Sequence, residues 1–354
     1  MASYKERLER DLDRWIGSGL VPAENRAAIL HSVPEGARME AATALTWVGG
    51  VLAGVALIAF VAANWDVLPR LAKFALVLGL YAASAGAGAW LSRAGRSHAA
   101  NGLLTFAAFA FASAIGLTGQ IFDITGDERT ALYAAGVGAA ALALAGRSSG
   151  AAIAALWFVA AADFAGIRSF DRPTTSDFAG PFLAVPAAAA LAWRWKSVPL
   201  AHAAALGAIA AAVWLGMKLH APPAQLIGLA VALGLLAAAG RWLRERGEAV
   251  GGAFYAWLVW GAMAFYLGAG IDLHDGGYKL AHRVGWLILG GALVALGRRD
   301  RVGSITGLGV LSLMIGVSVI MYDLGLGLMT ASAVFLGAAI VAGIAGLMLR
   351  RRTA

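Results

Sequence analysis

The sequence predicts an all-α, polytopic membrane protein of about twelve transmembrane helices, preceded by a short N-terminal cytoplasmic helical hairpin. Three observations predict it: a composition too apolar for a soluble core, apolar blocks of membrane-crossing length, and basic residues gathered on alternate connections between those blocks.

Of the 354 residues, 60% are hydrophobic and 14% charged, and the mean hydropathy is +0.74. Soluble domains lie near half apolar and about a quarter charged, and a single soluble core stops growing at roughly 250–300 residues. The apolar residues come in continuous blocks of about 17–22. A helix needs about 20 such residues to cross the ~30 Å hydrocarbon layer, whereas a spanning strand would alternate apolar and polar side chains. There is no cysteine, which excludes disulfides, thiolate metal sites and cysteine nucleophiles. The net charge is +8, but the basic residues flank apolar blocks and form no face with interleaved aromatics. No nucleic-acid partner is expected. The first apolar block begins after Glu40, too late for a cleavable signal peptide.

Residues 1–40 form the one sizeable polar stretch. Ser3 and Glu6 have capping-box spacing. Tyr4, Leu8, Leu12 and Trp15 then recur on one helical face. Gly17-Ser18-Gly19 ends that helix, and Pro22 can open a second, short one through Ala27, Ile29 and Leu30. Leu8, Leu12 and Trp15 are the candidate residues for docking a second copy or a membrane-protein partner. The same face could instead pack on itself or on the bilayer surface.

The expected spans are 41–63, 71–91, 101–122, 130–146, 149–165, 179–193, 199–217, 224–240, 249–269, 281–297, 303–321 and 328–349. Only Arg147-Ser148 separates the fourth from the fifth, and the sixth carries Pro181 and Pro186, so a count of ten or eleven is also compatible with the pattern. Spans 1–4 with their connections make one region, 41–147, and the rest, 148–354, another. Of the 28 lysines and arginines, 20 fall on the N-terminus, the C-terminus and the connections after even-numbered spans, and 8 on the remaining connections. Positive residues favour the cytoplasmic side, so both termini are expected there, in a bacterial inner (plasma) membrane. Acidic residues divide evenly, 10 and 10, which leaves the outer side acidic.

A weak repeat runs through the chain. An aspartate at an outer edge is followed by a helix closed by arginine: Asp66 to Arg93, Asp123 to Arg147, Asp272 to Arg298, Asp323 to Arg350. A six-plus-six duplication, common among transporters, would produce it, and so would any hairpin array with a positive-inside bias.

The first ~147 residues carry a further pattern: Trp15, Gly19-Leu20 and Glu24 in the hairpin, Ala63-Asn64-Trp65-Asp66 with Pro69 and Lys73, then Gly119-Gln120-Ile121-Phe122-Asp123 followed by Gly126-Asp127. This stretch resembles a bacterial family of predicted membrane proteins, domain of unknown function 2157. The family pattern at the third span usually reads Gln-Ile-Tyr-His, so Phe122 and Asp123 depart from it. The resemblance implies a membrane-embedded fold and no established activity.

Polar residues at outer edges are the candidate ligand-binding positions: Asn64, Asp66, Gln120, Asp123 and Asp272. Trp65 would anchor at the interface, and Gln120, within the apolar slab, needs a partner on another helix. No metal site is assigned. His274, Asp275 and His282 are the weak candidates, because imidazole and carboxylate bind divalent ions but their spacing fixes no geometry. No nucleophile elbow, phosphate loop or paired-histidine motif occurs, so no cofactor and no enzymatic activity are expected. No acidic or basic residue lies near the middle of a span; Asp163, near an outer end, comes closest. The expected function is a transporter, channel or lipid-handling protein with an outer-edge polar site. The alternative is a scaffold or sensor working through its N-terminal hairpin, with a lipid-linked transferase third.

Overall fold

The computed structural model describes residues 4–32, 69–122, 126–165, 180–271, 273 and 276–325. The expected first and last spans, 41–63 and 328–349, lie outside the described residues. By compactness the chain divides into residues 1–69 and 70–354.

In the first unit, α1 (Tyr4–Gly17) and α2 (Asn25–Ser32) form the expected hairpin. The turn needs Gly19, which holds φ +74°, a region open to glycine at little cost. Arg26 Nε donates to Asp13 Oδ1 across the hairpin at 3.0 Å. Leu12 is fully buried, whereas Trp15 is 39% exposed.

The described residues of the second unit form helices, most of them joined by short turns. In order they are α3 (Arg70–Arg93), α4 (Ser97–Phe122), α5 (Glu128–Gly146) and α6 (Ser149–Ala165). A π-helical turn (Gly180–Ala184) then leads into α7 (Val185–Trp195) and α8 (Val198–Lys218). Next come α9 (Pro223–Glu245), α10 (Ala249–Ala269), α11 (Gly276–Arg299) and α12 (Gly303–Asp323). Eight of these, α3–α5 and α8–α12, are long and apolar enough to cross a membrane; α6 and α7 are shorter apolar helices. No strand occurs among the described residues. The chain is an α-helical membrane protein, and all ten expected spans that fall on described residues are helices.

Two local details explain the difficult segments. Arg147 closes α5 in the left-handed conformation, φ 49°. Ser148 then caps α6, its Oγ accepting from Ala151 N at 3.1 Å. Two residues therefore suffice for the turn. Pro186 has no N–H to continue an α-helical ladder, and the chain enters α7 through a π turn instead, a usual local adjustment around proline in membrane helices. The sixth expected span is thus a π turn followed by an 11-residue helix.

Small residues line the helix contacts. One core joins α4–α8 and α10 through alanines such as Ala108, Ala139, Ala152 and Ala204. A second gathers Tyr255, Leu258, Trp286 and Ile305. Large apolar side chains face outward, with Leu71 72%, Leu235 68% and Ile288 66% exposed. This inversion suits a lipid solvent: tails are as apolar as leucine, so helices associate through close backbone approach. At the α9–α10 crossing, a Cβ on Gly251 would lie 2.6 Å from Gly240 O. At α11–α12, one on Gly309 would lie 2.8 Å from Gly290 O.

Short turns make neighbouring helices antiparallel, so the bundle has two ends. One carries Arg93, Arg147, Arg194, Arg244 and Arg298 at or just past helix C-termini. Cations there also complement the helix dipole.

Candidate functional site

Three helices, α9, α10 and α11, enclose an apolar groove with a cavity volume of about 410 Å³, within the range of small-molecule sites. Small residues of α9, Ala230, Gly234 and Ala238, make its floor; Met263 of α10 and Leu293 of α11 line its walls. Alanine and glycine on α9 create the room, because their side chains stop short of the neighbouring helix. Arg241 and Tyr255 stand at the arginine-rich end of the groove, and Tyr266 and Leu289 towards the other. A second apolar cavity, about 590 Å³, lies among α7–α10 and is lined by Phe182, Trp193 and Leu236.

At the arginine-rich end, Asp300 in the α11–α12 turn organises the mouth. Arg241 grips it with two bonds, Nε to Oδ2 at 2.7 Å and Nη2 to Oδ1 at 2.9 Å. Tyr255 OH donates to Oδ2 at 2.7 Å, and Arg244 Nη2 donates to the Asp300 carbonyl at 2.9 Å. A bidentate charge-assisted pair of this kind is both strong and directional. The Arg241 guanidinium, followed by the Tyr255 hydroxyl, holds the Asp300 carboxyl down to about 2. One carboxylate thereby ties α9, α10 and the α11–α12 turn together.

At the opposite end, Asp323 accepts from Lys279 at 2.7 Å and Arg283 at 3.0 Å. His282 is buried and stacks on Tyr266 with ring centroids 4.5 Å apart. Its Nε2 lies 2.8 Å from Tyr266 O, which makes Nε2 the protonated nitrogen, and Tyr266 OH donates back to His282 O at 3.0 Å. His282 is therefore a packing residue between α10 and α11. Among the described residues no group of three or more histidine, cysteine or acidic side chains could hold a metal ion. His274 and Asp275, its companions in the weak metal pattern, lie outside the described residues.

A separate polar site surrounds Asp163, 3% exposed in α6. Its Oδ1 accepts from Tyr133 OH, Arg129 Nη2 donates to the same hydroxyl at 3.2 Å, and Trp214 Nε1 donates to the Asp163 carbonyl at 2.8 Å. Gly180 packs directly on the carboxylate; a Cβ there would overlap Oδ2. The adjoining cavity is about 10 Å³, roughly the room of one water. A buried carboxylate requires such partners, because desolvation of an unpaired charge is costly.

Of the ligand-binding candidates, Asn64, Asp66, Asp123 and Asp272 lie outside the described residues, as does the side chain of Gln120. Gln120 itself is the third residue from the end of α4. Beside it, Gly116 and Gly119 of α4 and Asp127 and Glu128 at the start of α5 edge an open concavity of about 610 Å³. Asp127 caps α5, accepting from Thr130 N at 2.8 Å and Thr130 Oγ1 at 2.7 Å. The threonine hydroxyl and then its N–H keep the Asp127 carboxyl below the usual range. Of the docking candidates, Leu12 is buried, Leu8 half-buried and Trp15 partly exposed.

Sequence reasoning singled out Asp163 as the charge nearest a span interior but not its partners, which lie 30 and 51 positions away. The meeting of Asp300, Arg241 and Tyr255 leaves no signal in the sequence, since no local spacing joins residues 59 and 45 apart.

Residues 13–152 match the profile of a family described as Predicted membrane protein (DUF2157), over nearly the stretch that carried the resemblance. The α9–α11 groove lies beyond the matched segment. No curated protein and no solved structure matches the chain.

Proposed function

We propose that the protein handles lipid, holding an acyl chain in the groove between α9, α10 and α11, in a bacterial inner membrane with the arginine-rich end in the cytoplasm. The observation that carries the reading is the shape and chemistry of that groove: about 410 Å³, walled by alanine, valine, leucine and methionine, with an arginine and two tyrosines among its lining. An acyl chain has the cross-section and apolarity to fill it. A solute carrier or channel needs polar groups converging on a path through the slab. The cavities of about 410 and 590 Å³ are both almost wholly apolar, which favours lipid over a hydrophilic solute. No catalytic step is assigned.

The test uses the full chain in nanodiscs containing a phospholipid with a photoactivatable group midway along its acyl chain. Crosslinks should concentrate on Val231, Met263 and Leu293. Gly234 lines the groove and has open space above its Cα, so Gly234→Phe should fill the groove and remove those crosslinks while leaving labelling of outward Leu235 intact. Equal labelling before and after the substitution would refute the reading.

A second reading has one observation in its favour. The α1–α2 hairpin leaves Trp15 39% and Leu20 73% exposed, an apolar pair suited to docking a second copy or a membrane partner. Deleting residues 1–33 should then change the assembly state in detergent without preventing insertion.

A further inference from the structure

The groove has a charged mouth as well as an apolar body. Around it, α9 and its following turn carry Arg241, Arg244 and Arg246, and the end of α11 with its turn carries Arg298, Arg299 and Arg301. Against six arginines stand three carboxylates, Glu245, Glu248 and Asp300, a surplus of three positive charges. The six are not equivalent. Arg241 is committed to Asp300 and Glu245, and Arg244 to the Asp300 carbonyl. Arg246 lies over the Trp242 ring at 3.7 Å. Arg298, Arg299 and Arg301 are exposed, and among the described residues no carboxylate pairs with them.

Position matters as much as charge. Leu289, Leu293 and Leu296 of α11 face the groove. Arg299 follows Leu296 by three residues and so shares its helical face. The apolar stripe therefore ends in a guanidinium at the level where a headgroup would sit. Arg301 follows in the turn, which Arg241 and Tyr255 hold through Asp300.

We propose that this mouth selects phospholipids of net negative charge, seating the headgroup phosphate on Arg299 and Arg301 with Arg298 beside them, while the acyl chain occupies the groove. The inference rests on the acyl-chain reading above. Guanidinium binds phosphate through paired N–H donors, and basic pockets between membrane helices are a recurrent form of anionic-headgroup site. Arg241 and Asp300 are positioning residues here: their pair uses the donors and fixes the turn that presents the free arginines.

The experiment is native mass spectrometry of the full chain in neutral detergent, titrated with phosphatidylglycerol and with phosphatidylcholine of the same acyl chains. The wild type should prefer phosphatidylglycerol by tenfold or more, since each basic residue near a headgroup is worth about fivefold. The triple substitution Arg298→Gln, Arg299→Gln, Arg301→Gln should bring the ratio near one, with the loss falling chiefly on phosphatidylglycerol, because the choline cation of phosphatidylcholine already offsets the attraction of its phosphate to the guanidinium groups. Raising salt to about 1 M, where screening acts beyond ~3 Å, should shrink the wild-type preference, a check that needs no variant. Equal wild-type binding of the two lipids, a preference that survives the triple substitution, or one that salt does not move would overturn the inference. Phosphatidylcholine binding that persists through Gly234→Phe would defeat the acyl-chain reading instead. A dimer that excludes lipid and persists after deletion of residues 1–33 would point to a second copy in the groove and overturn both.

Discussion

Replacing Gly251 by alanine adds one methyl group where α9 and α10 cross. The new Cβ would lie 2.4 Å from Arg244 N and 2.6 Å from Gly240 O. Both are backbone atoms within helices and cannot swing aside. Ordinary contact is about 3.5 Å, so the helices must part by about 1 Å at this point. A gap of that size forfeits a quarter to a half of the local dispersion energy, and overpacking of this kind costs about 1–3 kcal/mol. Lipid supplies no compensating hydrophobic gain between the helices. Gly234, on the same α9 but over open space, is the internal control. There alanine should stabilise by up to about 1 kcal/mol through helix propensity. The assay is reversible unfolding in mixed micelles of increasing SDS fraction, followed by tryptophan fluorescence. Gly251→Ala should lower the midpoint and Gly234→Ala should raise it or leave it unchanged. A Gly251→Ala protein as stable as the wild type would refute the argument that close backbone approach holds this pair.

Two further outcomes are expected. The Asp300 carboxyl is held down to about 2 in the folded protein, below an unfolded value near 3.9. Its stabilisation is therefore fully present above about pH 4 and is lost as the pH falls towards 2; allowing for screening it is worth about 1–2 kcal/mol. Unfolding midpoints measured from pH 6 to pH 2.5 should fall, and Asp300→Asn should flatten that part of the slope. Tyr133→Phe removes the hydroxyl that donates to the buried Asp163 carboxylate and should cost about 1.5–3 kcal/mol. Combined with Asp163→Asn it should be clearly non-additive, and strict additivity in the cycle would show that the two side chains are energetically independent.

The family resemblance and the site fall in different halves of the molecule. The matched segment, residues 13–152, holds the end of α1, α2, α3–α5 with the Asp127 edge, and the start of α6. The groove and its arginine clamp belong to α9–α12. A test confined to the matched segment would leave the lipid reading untouched.

Long apolar blocks and the residues that punctuate them were sufficient to place every described helix of the bundle. The reason is local: a span must satisfy its own backbone hydrogen bonds in lipid, so continuous apolarity over about 20 residues permits only one structure. Proline at 181 and 186 and the brevity of Arg147-Ser148 marked the places where regularity would fail, again through local backbone chemistry. What only the tertiary structure decided is which small residues meet and which polar groups find each other. Alanine and glycine are spread around every helix, so composition cannot say that Gly251 meets Gly240 while Gly234 faces a cavity. Nor can spacing along the chain bring Arg241 and Tyr255 onto the Asp300 carboxylate, because their meeting depends on how the α9–α10 and α11–α12 hairpins pack.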